Sequence, residues 1–71
     1  MEWIKSIQKL PEMLNEHVSE YVLVYSSKAN IIDIANLGFD GEKNLCWFGT
    51  DFKKFEINHF THWAEIILPK E

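Results

Sequence analysis

Five Phe, three Trp and two Tyr are spread along only 71 residues, and a chain this short depends on them. A domain of this size buries only about 60% of the surface its unfolded chain exposes, so its core must be built from large side chains. Each aromatic ring can remove about 150–250 Å² from water. Even so, burial at ~25 cal/mol per Å² comes close to cancelling ~1.5 kcal/mol of ordering entropy per residue. These magnitudes predict one domain over residues 1–71, marginally stable and open to help from a second subunit.

Apolar residues make up 46% of the chain and charged residues 25%, a globular rather than a disordered composition. Seven Lys oppose eleven Asp and Glu, for a formal net charge of −4, and Arg is absent. Bidentate recognition of phosphate and guanine edges is mainly an arginine task. Scattered lysines in an acidic chain make no counterion-releasing patch, so nucleic-acid binding is not expected. Cys46 has no second cysteine to pair with, and no CxxC metal motif occurs. Met1 to Lys5 is not followed by the apolar stretch of a secretory signal. The longest apolar run, Tyr21–Tyr25, falls far short of the ~20 residues of a membrane helix, as does Ile66–Leu68. The composition fits a cytoplasmic protein with no membrane contact.

Along the chain, Trp3, Ile4, Ile7, Leu10, Leu14, Val18 and Tyr21 recur at helical spacing, interrupted by Pro11. The residue before a proline is pushed out of helical angles, and proline itself suits a first helical position. The spacing therefore predicts a short helical turn near residues 2–8 and a second helix near 12–18. From Tyr21 the pattern becomes β. Tyr21–Tyr25 is apolar on both faces, as in a central strand. Ser26–Asn30 reads as a turn, and Ile31–Ala35 as a strand with Ile32 and Ile34 on one face and Asp33 on the other. Gly38-Phe39-Asp40-Gly41-Glu42 reads as a hairpin turn, since Asp-Gly favours positive φ. Strands are expected at Leu45–Phe48, ending at Gly49, at Phe55–Phe60, and at Ala64–Leu68, closed by Pro69. The sum is an α+β, β-rich fold: a four- to five-stranded antiparallel meander with a short N-terminal helical element.

Trp3-Ile4, Leu10-Pro11-Glu12, Val22-Leu23-Val24-Tyr25, Trp47, Thr61-His62-Trp63 and Leu68-Pro69 follow one another in an order that resembles the DUF551 family. Its members are small domains of unknown function often met in bacteriophage and prophage genomes. The resemblance covers nearly the whole chain and implies a shared fold, a phage-related origin and the cytoplasm of a bacterial host, with no catalytic residue to carry over. The chain departs from the family in two places. Met13 to Tyr21 intervene where the family passes quickly from LPE to the VLVY strand, and Ala64-Glu65-Ile66-Ile67-Leu68-Pro69 stands where the family tends to read Met-Pro-Leu-Pro after the tryptophan.

Candidate chemistry is sparse. His59 and His62, with Cys46 and His17, are the residues a zinc site would use. Positions 59 and 62 point to opposite faces of a strand, so a satisfied or surface histidine is the expected state. Cys46, inside an apolar strand, is expected as a small buried hydrophobe rather than a nucleophile. Asp33, Asp40, Glu42 and Asp51 lie in or near turns, without the cleft a carboxylate pair needs. No cofactor or metal is expected. The most informative residues are Trp3, Trp47 and Trp63. Together they are expected to close an aromatic core; any of them left at the surface would be a protein-binding anchor. Tyr21 and Tyr25 on one strand face, and His62 beside Trp63, complete the candidate set. The expected role is a non-enzymatic interaction domain that binds a protein partner or itself as a homodimer. An acidic regulator masking a basic surface of a host factor is the alternative, and a small metal- or thiol-dependent enzyme the second alternative.

Overall fold

A computed structural model describes residues 2–67. The chain is all-β: β1 (Ile4–Lys5), β2 (Val22–Ser26), β3 (Ile31–Phe39), β4 (Leu45–Gly49), β5 (Lys54–Glu56) and β6 (His62–Ala64). They form one antiparallel sheet in the order β1-β6-β2-β3-β4-β5. The expected α+β class is thereby corrected, because no described residue is helical. Strands β2 to β5 do form a meander, but β6 crosses to the far side of β2 and brings β1 with it.

Both expected helices fail for a physical reason. Isolated helices shorter than ~12–15 residues are marginal in water, and the helical spacing here is cut by Pro11, which is buried. The first segment instead gives Ile4 and Lys5 to β6, opposite Trp63 and His62, before a turn over 6–8. In the second, Asn15 Oδ1 accepts the backbone N–H groups of His17 and Val18 at 2.7 and 3.1 Å. An Asn side chain that captures its own neighbours competes directly with a helix. The segment ends in single bridges, Met13 to Ser19 and Val18 to Gly38. Ser19 replaces a strand at this point. Its N–H donates to Leu37 O at 3.0 Å and its Oγ accepts the Leu37 N–H at 2.8 Å.

Other boundaries also move. β3 runs four residues past the expected Ala35, so Gly38 lies inside a strand rather than in the turn. A Cβ at Gly38 would stand 3.0 Å from two ring carbons of Phe48, and that close approach explains the glycine. The turn itself has Lys43, not Gly41, at positive φ (64°). Lys43 N donates to Asp40 O and Asp40 N to Asn44 O, both at 3.0 Å, giving a three-residue loop with a left-handed last residue. The Asn44 amide above all, with the Glu42 amide and the Lys54 ammonium, holds the Asp40 carboxyl below the usual carboxylate range. The next hairpin repeats the device with Phe52 at φ 65°, Phe52 N donating to Gly49 O. Because an L-residue in this region carries strain that glycine lacks, Lys43→Gly is expected to raise stability by about 0.5–1 kcal/mol. Urea unfolding checks this; an unchanged or lower midpoint counts against the turn as described.

The expected strand Phe55–Phe60 stops at Glu56, where His59 N donates to Glu56 O and closes a turn. The expected Ala64–Leu68 strand is instead His62–Ala64; Leu68 and Pro69 lie outside the described residues. From Glu56 to His62 the chain reaches at most about 18 Å, allowing ~7 Å for the turn and three extended residues beyond it. Through β4, β3 and β2, Glu56 aligns with Gly38 and His62 with Ile32, six residues apart on β3. In a flat sheet those positions would be about 28 Å apart. The sheet must therefore curl, and Phe60 closes its concave side against Trp47 and Phe55. The core of Val22, Val24, Ala35, Leu37, Trp47, Phe60 and Trp63 fills that concavity. Two indole N–H groups pin the connections over it, Trp47 to Ile57 O at 3.1 Å and Trp63 to Lys9 O at 2.7 Å.

Candidate functional site

Strand alternation sends the partners of the core residues to the convex face. Lys5, His62, Tyr25 and Ile32 form one cross-strand row over β1, β6, β2 and β3. Ala64, Leu23 and Ile34 form the next. Trp3, just ahead of β1, lays its ring 6.0 Å from that of Tyr25, and Tyr25 stands 5.8 Å from the His62 ring. Trp3, Tyr25, Ile32 and His62 line a shallow concavity of about 280 Å³. Trp3 is 38% exposed and Ile32 61%, so the patch is open to solvent.

The polar groups behind the patch are tied down. Thr61 Oγ1 donates to Tyr25 O at 3.2 Å, accepts the Ser27 N–H at 3.2 Å, and lies 2.9 Å from His62 Nδ1. A hydroxyl holds one proton; with that proton on the Tyr25 carbonyl, Thr61 Oγ1 accepts the Nδ1–H of His62. Tyr25 OH donates to Oδ1 of Asn30, which holds the left-handed position of the β2–β3 turn. The rings are thus positioned by a hydrogen-bonded frame, as a preformed binding surface requires.

The sequence candidates divide. Trp3, Tyr25 and His62 come together on the convex face. Trp47 (0% exposed) and Trp63 (4%) lie in the core, and Tyr21 (45%) stands outside the row, just before β2. Ile32, Ile34 and Leu23 belong to the patch although the sequence did not mark them. Their alternation was visible, but alternation alone does not say which face meets water. The phrases Trp3-Ile4, Val22–Tyr25 and Thr61–Trp63 meet in β1, β2 and β6, where Trp63 pairs with both Ile4 and Val24.

Among the described residues no three His, Cys, Asp or Glu side chains are grouped to hold a metal ion. His59 stacks on Phe55 at 4.8 Å while His62 serves the opposite face. Cys46 is buried, and burial, with the Asp40 charge, pushes its thiol pKa up, away from the reactive thiolate. A second, larger groove of about 530 Å³ runs between the turn after β1 and the 57–61 loop, lined by Ile7, Leu10, Ile57 and Phe60. Among the described residues the buried Ser6 hydroxyl meets no hydrogen-bond partner. No helix in the described residues is long and apolar enough to cross a membrane. Comparison with protein-family models, curated proteins and solved structures found no match for this chain.

Proposed function

We propose that this chain is a non-enzymatic interaction module that docks a protein partner on the convex face of its sheet. The observation that carries this is Trp3: a large ring left partly in water, set beside Tyr25, which in turn stands beside His62, and sharing one concavity with the exposed Ile32. Partly exposed Trp and Tyr anchors beside an apolar floor have the composition of binding hot spots. The DUF551-like phrases support a phage or prophage setting for the module, with the cytoplasm of a bacterial host as its proposed place of action.

The test compares wild type, Trp3→Ala and Phe52→Ser as baits in a bacterial lysate, with quantitative mass spectrometry. Phe52 is 86% exposed on a hairpin tip and serves as an apolar control away from the row. A partner held by wild type and Phe52→Ser is expected to bind Trp3→Ala at least ~30-fold more weakly, the size of a hot-spot loss. Equal retention by Trp3→Ala, or no protein above bead background, overturns the reading.

A further inference from the structure

β3 is a nine-residue strand whose two halves have different neighbours. Residues 31–35 pair with β2, and only residues 35–39 pair with β4, which stops at Gly49 opposite Ala35. Leu37 turns both its N–H and its C=O toward Ser19, on the β2 side. By strand alternation, the even-numbered residues of β3 turn theirs the other way. Asn36 and Gly38 meet Phe48 and Cys46 there. Among the described residues Ile32 and Ile34 meet no strand, so Ile31–Ile34 is an open sheet edge there in a strand that is central elsewhere. The Ile34 N–H is taken by Asp33 Oδ1 at 2.8 Å. No backbone partner for Ile32 N–H, Ile32 C=O or Ile34 C=O exists on that side among the described residues. Ile31 is 54% exposed, Ile32 61% and Ile34 38%.

We infer that this edge accepts an extended strand from a different protein, one that carries a basic residue between two apolar ones. The inference rests on the proposed docking face and names the kind of partner that would use it. A strand laid antiparallel here would exchange both hydrogen bonds with Ile32 and continue the row from His62 and Tyr25 with its own apolar side chain. The residue opposite Asp33 would stand in a close pair, about 4.5–5.5 Å between Cβ atoms, where opposite charge is favourable and like charge is not. Asp33 has no ion pair among the described residues.

Charge selects against a second copy. Two such edges related by a twofold axis through Asp33 would place the two carboxylates face to face. Nor does the chain itself offer the required pattern. It has no Arg, and none of its seven Lys stands between two apolar residues. A charged residue in the middle of an exposed edge is a known guard against self-pairing, and here the same charge defines the ligand.

The probe is the capped heptapeptide STVKVTS, with STVEVTS as its charge-reversed control, titrated into the full chain by NMR. Amide shifts centred on Ile32–Ile34 and Tyr25 are expected, with the lysine peptide binding at least ~5-fold more tightly than the glutamate one. Asp33→Asn, which keeps the cap on Ile34, should erase the preference, and Asp33→Lys should invert it. No shifts at this edge up to millimolar peptide, or a preference unmoved by both variants, overturns the inference. A concentration-dependent dimer blocking residues 31–34 and strengthened by Asp33→Asn also overturns it, in favour of a second copy. Trp3-dependent capture would survive either failure, whereas loss of Trp3 dependence overturns the docking face itself.

Discussion

Trp47→Ala is expected to remove about 3–5 kcal/mol of stability, the cost of truncating a buried aromatic to alanine. Trp47 is fully buried, packs edge-on to Phe60 at 5.8 Å, and stands across the sheet from Leu37 and Phe55. Its loss opens a cavity at the centre of the concave face and frees Ile57 O, the acceptor of its indole N–H. A domain of this length has about 4–11 kcal/mol to lose, at roughly 0.05–0.15 kcal/mol per residue. With a urea slope near ~1 kcal/mol per M for so small a domain, the midpoint should fall by about 3 M or the chain should unfold outright. Trp47→Phe keeps most of the volume and loses mainly the hydrogen bond, so it should fall between the two. A Trp47→Ala midpoint within ~1 M of wild type would mean that the core is not organised around this ring.

Ser19→Ala tests a different link, the polar clamp that takes the place of a strand. Among the described residues the Ser19 side chain is the only acceptor for the Leu37 N–H, both residues are buried, and its hydroxyl also donates to Glu20 O at 2.9 Å. Alanine leaves a buried donor unpaired, which costs about 1–3 kcal/mol. The same energy should appear locally, as a ~10–100-fold faster hydrogen exchange of the Leu37 amide. Unchanged exchange at Leu37 would show that water or a shifted backbone satisfies the donor.

The strands of the meander were legible because their signals are local. Val22–Tyr25 and Leu45–Phe48 are runs of β-branched and aromatic residues too short to compete as helices, and polar turns separate the strands. The N-terminal third misled because its apolar spacing suits a helix while its outcome depends on distant partners. Ile4 is in a strand only because Trp63 is there to pair with it, and Val18 and Ser19 take their long-range partners from β3. Half of the candidate patch could be named in advance, as Trp3, Tyr25 and His62. Their assembly could not, since it requires β6 to insert between β1 and β2.

Taken alone, the sequence determined an acidic composition, a core dependent on large rings, and β2, β3 and β4 in meander order. These follow from composition and from side-chain alternation over a few residues. The tertiary structure decided which rings are core and which are surface: Trp47 and Trp63 inside, Trp3 outside on Tyr25. It also decided that β4 ends opposite Ala35 and leaves Ile31–Ile34 open. Both outcomes arise from pairing across many residues and from the curl that a short β5–β6 connection forces on the sheet. No local pattern of hydrophobicity encodes either of them.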